Sequence, residues 1–311
     1  MNKNTDLSTA AIVQGYLLHA ESRRMSQNTI KLYAMIYRKF AAHVGEKSIF
    51  NQLTVEDVET FLSAQTTVSD ATLAKYHITL SSLFTWAVKQ GFTAENLLKR
   101  ITCPRPEKRE IVPFTIDEIR AMLSACDKTA EYTRAGKATC ANTRPTALRD
   151  RAIILLLVDT GLRATELCDI QIHEVDLKNR QLVTMGKGDK ERLIPFDART
   201  GQALWRYIAT RPEARADDPL FVTHLNNPLD RKVLRKLMLR IGLRAGVKEV
   251  HPHRFRHTFA INYLRNKGDI YTLQRILGHS TLEMVKRYLA IANVDVQNAH
   301  RQASPVANWR L

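Results

Sequence analysis

Apolar residues recur at helical spacing through the first hundred positions, and no strand pattern interrupts them. Between Leu7 and Ala20, Ile12, Tyr16 and Leu17 fall on one side, which predicts a helix. The pattern repeats from Thr29 to Val44 with Ile30, Tyr33, Ile36, Tyr37 and Phe40. Thr54 followed by Asp57 has the spacing of a capping box with a shortened acid, so a short helix is expected through Phe61 and Leu62. A fourth helix, Ser69 to Gln90, is closed by Gly91 as its C-cap. Residues 99–113, KRITCPRPEKREIVP, break the periodicity. Three prolines stiffen this stretch toward extended geometry and five basic residues charge it, so it is read as a linker, either solvated or laid along a phosphate backbone.

A different pattern begins at Phe114. Thr115 and Glu118 form a capping box for a helix from Ile116 to Cys126. Residues 127–146 show no periodicity and read as an inserted loop of unassigned role, and the apolar run Ile153 to Val158 marks Ala147 to Thr160 as a buried helix. Over residues 172–196 the period shortens to two. Strands are predicted near Val175–Leu177, Gln181–Met185 and Arg192–Pro195, with a GKGD turn between the last two. Five helices complete the chain: Asp197 to Thr210, Leu229 to Ala245, Pro252 to Asn266, Ile270 to Leu277 and Thr281 to Ala292. No internal repeat is present.

At 311 residues the chain has room for about two domains with cores of their own. Its 44% hydrophobic and 25% charged content excludes a disordered or collagen-like class. No stretch reaches the roughly 20 apolar residues of a membrane span. The N-terminus, MNKNTDLSTA, has no apolar core of a secretory signal. A cytoplasmic protein is therefore expected. Cys103, Cys126, Cys140 and Cys168 include no CxxC pair and read as free thiols. Charge is what departs from the ordinary. The net charge is +16 and the pI about 9.9, in the range of proteins that bind a polyanion, most often nucleic acid. Arg231 to Lys267 holds 11 basic residues and one acidic, Glu249, interleaved with apolar residues at helical spacing. That is a folded basic surface suited to phosphate contacts.

Five clusters in the second half carry possible chemistry. Arg163 follows Gly161 in TGLRATEL, and Lys187 lies between two glycines in GKGDKER. His253 and Arg256 share a helical face in HPHRFRH, where Pro252 suits a first helical turn. His279 follows a helix end in LGHS, and Tyr288 ends KRY. Singly, each has a plain structural reading: a surface arginine, a turn lysine, a capping histidine, a boundary tyrosine. A metal site is not expected among the three histidines of HPHRFRH, because no acidic or cysteine ligand lies nearby and the neighbouring cations would repel the ion. GxxxxGK[ST] is absent, so nucleotide hydrolysis is not suggested.

In their order and spacing the clusters resemble one family, the tyrosine recombinases or phage integrases. TGLRATEL, GKGDKERLIP, HPHRFRHTFA, LGHS and KRY are similar to that family's successive signatures, with Lys187 lying 24 residues after Arg163 and Tyr288 lying 9 after His279. The resemblance covers the chain from about Phe114 onward and is weaker in the helical first domain. It implies a mainly α fold. A helical core-binding, SAM-like domain over residues 1–98 and the linker 99–113 precede an α+β catalytic domain over 114–311 with a small three-stranded antiparallel sheet, and together they form a C-shaped clamp on DNA.

The resemblance also implies a site-specific recombinase that cuts and rejoins duplex DNA through a 3′-phosphotyrosine, with no cofactor, metal or ATP. The implied catalytic residues are Arg163, Lys187, His253, Arg256, His279 and the nucleophile Tyr288, with Tyr207, Tyr263 and Tyr271 as rivals lacking the spacing. Chemically, Arg163 and Arg256 offer forked donors to the non-bridging phosphate oxygens. Lys187 is the expected proton donor to the leaving 5′-oxygen, with Lys190 in the same hairpin or His253 as the alternative, and His253 and His279 are expected to position the phosphate and assist proton transfer. The implied partner is double-stranded DNA with inverted-repeat core sites, bound by a homo-tetramer across two duplexes, with a second recombinase or accessory protein as a further possibility. The two-domain layout is most similar to compact Xer-type members, whereas KRYLAIAN leans toward integration, excision or resolution of a mobile element. Chromosome-dimer resolution is the alternative role. Two other classes stand beside these: a type IB topoisomerase, opposed by the short chain and the HxxR–LGHS–Y run, and a catalytically inactive DNA-binding protein, opposed by the filling of all six positions.

Overall fold

The computed structural model describes residues 6–107, 110–127, 144–185, 191–278, 281–292, 304 and 306. The chain divides into two compact units, Met1–Arg109 and Glu110–Leu311, and the division falls within the basic linker segment.

The first unit is built from α1 (Thr9–Ser22), α2 (Gln27–Val44), α3 (Val55–Ser63) and α4 (Asp70–Gln90). Hydroxyl side chains start three of them. Ser8 and Ser26 accept from Ala11 and Thr29 backbone N–H groups, and the Thr54–Asp57 capping box closes in both directions. Gly91 closes α4 in the left-handed conformation. Ile12, Tyr37, Phe40, Phe50, Val58, Phe61, Leu80, Leu83 and Phe84 form a core from which water is excluded. The single buried hydroxyl among these, on Tyr37, donates to the Thr79 carbonyl at 3.0 Å. The first stretch after Gln90 is not wholly extended: Leu97–Arg100 makes a 3-10 turn, with the Asn96 side chain capping it through the Leu98 N–H.

The second unit contains α5 (Ile116–Asp127), α6 (Ala147–Thr160), α7 (Ala164–Asp169), α8 (Ala198–Ile208), α9 (Arg231–Ala245), α10 (Pro252–Arg265), α11 (Ile270–Leu277) and α12 (Glu283–Ala292). The capping box at Thr115 and Glu118 forms as expected, at 2.8 and 3.1 Å. Strands β1 (Val175–Asp176), β2 (Gln181–Met185) and β3 (Glu191–Pro195) make an antiparallel sheet in that order, with Leu182 opposite Ile194 and Val183 opposite Leu193. Leu182, Thr184 and Ile194 are buried, and Leu193 and Met185 face outward, which is the alternation the period of two predicts. α6 runs through the main core, with Ile153, Ile154, Leu156 and Leu157 fully buried. A smaller cluster joins α10, α11 and α12 through Ala260, Ile261, Leu264, Leu273, Leu277, Val285, Tyr288 and Ala292.

The inserted loop lies, for residues 128–143, outside the described residues. Its two ends meet: the Arg144 N–H donates to the Asp127 carbonyl at 3.0 Å, and the Arg144 guanidinium pairs with fully buried Asp150 at 2.8 Å. Among the described residues, no helix is long and apolar enough to cross a membrane.

Candidate active site

The site begins with a turn that only glycine permits. Gly161 ends α6 at φ +62°, and a Cβ there would lie 2.5 Å from the Phe259 ring and 3.0 Å from Leu277. The turn delivers Arg163 as the N-cap of α7, a six-residue helix too short to announce itself by periodicity. Glu166, one turn along, holds Arg163 twice. One carboxylate oxygen accepts from its backbone N–H at 2.8 Å and the other from its guanidinium at 2.6 Å. Arg192 of β3 then grips both oxygens of Glu166, at 3.0 and 2.7 Å. Burial opposes the charge on Glu166, but the hydrogen bonds from Arg192 and Arg163 outweigh it and hold the carboxyl below its ordinary range.

Arg256 comes from α10 and is 2% exposed, the largest fully buried side chain of the described residues. Its two terminal nitrogens donate to the Gly161 carbonyl at 2.8 Å and the Leu277 carbonyl at 2.7 Å. Both acceptors lie at helix C-termini, where the backbone dipole favours a cation. Arg163 donates to the next carbonyl, Gly278, at 3.1 Å, so both arginines converge on the turn that follows α11. Burial and the neighbouring Arg163 charge lower Arg256 to about 10, still fully protonated near neutral pH.

Tyr288, on α12, is 2% exposed. Burial raises its phenol above the ordinary value, while Arg256, Arg287 and Arg163 pull the other way by favouring phenolate. Its Oη hydrogen-bonds His257 Nδ1 at 2.9 Å. His253 lies against His257 edge to face, with ring centroids 4.3 Å apart. The His253 ring is open to solvent, yet partial desolvation and the Arg256 charge lower its pKa. His251 caps α10 instead, its Nδ1 accepting the Arg254 N–H at 3.2 Å.

Of the six residues expected from the sequence, Arg163, His253, Arg256 and Tyr288 are brought to one corner. Lys187 and His279 lie outside the described residues. The rivals do not share the corner: Tyr207 stacks on Phe221 in the core, Tyr263 packs against Phe259, and Tyr271 is 62% exposed. Three participants were missed. Glu166 and Arg192 look in sequence like ordinary surface charges, and His257 stands out there only as one of a group of histidines. Arg254, beside Arg256 in sequence, is a structural residue: it donates to the Val112 and Lys248 carbonyls, pairs with Glu118 and lies 4.0 Å over the Phe114 ring. Among the described residues, no three His, Cys, Asp or Glu side chains are grouped to hold a metal ion.

Three arginines and one carboxylate thus leave surplus positive charge beside a buried phenol. That arrangement is complementary to an anion attacked by a tyrosine. The pattern of the whole chain agrees. Residues 114–294 match the phage integrase family, and residues 13–91 match the N-terminal SAM-like domain of phage integrases. The chain belongs to the phage integrase family of tyrosine recombinases. The recombinase is 31% identical over 288 residues to tyrosine recombinase XerC of Corynebacterium efficiens, covering 91% of this chain and 87% of that protein. It is 30% identical to tyrosine recombinase XerC of a Mycobacterium species (strain JLS), over 93% of this chain and 96% of that one. In fold it is similar to the Tn1549 transposon integrase in complex with a circular intermediate DNA, with a TM-score of 0.76 at 19% identity, covering 95% of this chain and 99% of that one. XerH recombinase bound to a palindromic difH substrate is also similar, with a TM-score of 0.68 at 22% identity over 97% and 85% of the two chains.

Proposed function

We propose that this site-specific recombinase cuts and rejoins duplex DNA through a 3′-phosphotyrosine on Tyr288. The observation that carries the reading is the pair of guanidiniums, Arg163 and Arg256, anchored on the turn after α11 with the Tyr288 hydroxyl buried near them. A phosphodiester resists nucleophiles because its oxygens are negative. Two fixed cations beside those oxygens stabilise the pentacoordinate transition state most, since charge accumulates there. Tyr288 Oη forms a bond to phosphorus as the bond to the 5′-oxygen breaks, and the covalent ester keeps the bond energy. Lys187 protonates the departing 5′-oxygen, and His253 and His279 position the phosphate and assist proton transfer. Attack by a different 5′-hydroxyl reverses the step and completes strand exchange.

In this reading residues 1–98 are the core-binding domain, 99–113 a basic linker and 114–311 the catalytic domain. The partner is duplex DNA with inverted-repeat arms. A tetramer on two duplexes exchanges strands, in the cytoplasm where that DNA lies, with or without a second recombinase or accessory protein. For the biological role, the XerC relatives, matched along most of their own length, favour an Xer-type resolvase over the mobile-element role suggested by KRYLAIAN.

Incubation with supercoiled plasmid carrying inverted repeats from DNA flanking the gene tests the reading. A covalent protein–DNA adduct together with rearranged plasmid is expected. Adduct with relaxation alone would make the protein a topoisomerase, and binding without adduct would make it an inactive DNA-binding protein.

A further inference from the structure

The hydrogen bond to Tyr288 comes from a residue that the proposed catalytic set does not contain. α10 presents His253, Arg256 and His257 at positions i, i+3 and i+4, one face of one helix. Arg256 reaches across to the carbonyls of Gly161 and Leu277. His257, the next residue, turns toward α12 and places Nδ1 2.9 Å from Tyr288 Oη. The contact is not an incidental surface pairing. α10 and α12 share the cluster of Ala260, Ile261, Leu264, Val285, Tyr288 and Ala292, which fixes the distance between the two helices. The His253 ring, set edge to face at 4.3 Å, limits how the His257 imidazole can turn.

We propose that His257 is a catalytic residue that takes the proton from the Tyr288 hydroxyl during DNA cleavage and returns it during rejoining. The inference rests on Tyr288 being the nucleophile. As the Oη–P bond forms and the P–O5′ bond breaks, the phenol proton passes to His257 Nδ1 and the 5′-oxygen takes a proton from Lys187. In rejoining, a 5′-hydroxyl attacks phosphorus and passes its proton to the now neutral Lys187, the tyrosine oxygen departs, and His257 gives its proton back. Each transfer is balanced, with no further reagent.

Distance and charge support this role. A general base must lie within hydrogen-bond reach of the proton it removes, and 2.9 Å satisfies that. It must also be neutral beforehand. Burial first, then repulsion from His253 and His251 where those rings are protonated and from the Arg256 and Arg287 charges, lower His257 to about 4, so its ring carries a lone pair at neutral pH. Arrival of a phosphate beside Arg163 and Arg256 adds the negative charge that raises the proton affinity of the ring at the moment it is needed. His253 does not occupy this position: its ring packs on His257.

Single-turnover cleavage of a nicked half-site substrate, with His257→Ala and His257→Asn, tests the proposal. Cleavage by both variants is expected to slow by roughly 10²-fold or more, the ordinary range for loss of acid–base catalysis. Asn keeps an acceptor near Nδ1 but cannot take a proton, so wild-type cleavage by His257→Asn would reduce His257 to a positioning role and overturn the proposal. A second reaction separates chemistry from folding. In a Tyr288→Phe background, a DNA 3′-nitrophenyl phosphate is joined by a 5′-hydroxyl without using a tyrosine. Adding His257→Ala to that background should change the joining rate by less than about threefold, whereas adding Arg163→Ala should abolish joining. A parallel loss with His257→Ala would show a structural defect and overturn the proposal. If wild-type protein forms no adduct at all, the proposed function fails. If it forms adduct and His257→Ala cleaves normally, only the present inference fails.

Discussion

The arginine corner and α12, the helix that carries Tyr288, stand side by side in one unit but are held by different forces. Arg163, Arg192 and Arg256 are fixed by hydrogen bonds to Glu166 and to the carbonyls of Gly161, Leu277 and Gly278, and donors and acceptors together tie four separate stretches of chain. Tyr288 is placed by apolar packing of α12 on α10 and α11, and by one histidine. The corner is therefore part of the fold's own stability, because its cations satisfy backbone groups that would otherwise be buried and unpaired. The Tyr288 ring belongs to that apolar cluster, and its hydroxyl is bound to His257. On the proposed chemistry, binding the phosphate and attacking it are thus separable, and the substitutions that matter to each leave different traces.

The largest expected effect is at Arg256. Arg256→Ala removes a transition-state donor, for a loss of roughly 10²–10³-fold in cleavage rate. It also strands the Gly161 and Leu277 carbonyls, costing about 1–3 kcal/mol for each. Single-turnover cleavage and urea unfolding should fall together. Glu166→Ala comes next. It leaves the Arg163 and Arg192 charges without their carboxylate, and removal of one partner from such a buried network costs roughly 3–5 kcal/mol. Unfolding near neutral pH measures it, and an unchanged midpoint would detach the corner from the fold.

Acid sensitivity sharpens the comparison further. Glu166 has a lowered folded pKa, so its contribution is present above the ordinary carboxylate range and is lost as pH falls through the folded value. His257 acts in a higher window. Its folded pKa of about 4 lies below the 6.5 of a free histidine, so the unfolded chain binds the extra proton between those values and stability declines as pH falls across that window. Unfolding measured at a series of pH values should show a shallower slope there for His257→Asn. The smallest effect is at Gly278, which sits at φ +61° with Arg192 Nη1 2.5 Å from where a Cβ would be. Gly278→Ala should destabilise by about 1–2 kcal/mol, chiefly through the left-handed backbone, and slow cleavage by disturbing the carbonyl that holds Arg163.

Much of this was legible in the sequence, and the limits have physical causes. Long amphipathic helices, the two capping boxes and the strand alternation follow from local chemistry, and each forms. The short helix α7 escaped because six residues hold less than two turns of periodicity. Arg163 and Arg256 could be picked out by their motifs, but their anchors could not. The Glu166–Arg192 clamp spans 26 residues and the Arg256–Leu277 bond spans 21, with no pattern linking the partners. Arg254 and Arg256 are indistinguishable by type; only the helical phase sends one to Glu118 and Phe114 and the other to the site. The His257–Tyr288 contact is set by how α12 packs on α10, a tertiary fact that spacing along the chain does not encode.

Mapping the protein–DNA adduct decides whether Tyr288 attacks the phosphate held by the two arginines. Wild-type protein is trapped on a nicked substrate, digested with trypsin and nuclease, and the peptide bearing nucleotide is sequenced by mass spectrometry. Nucleotide is expected on the peptide that follows Arg287, attached through its first residue, Tyr288. Nucleotide on the peptide containing Tyr263 or Tyr271, or on no peptide, would contradict it.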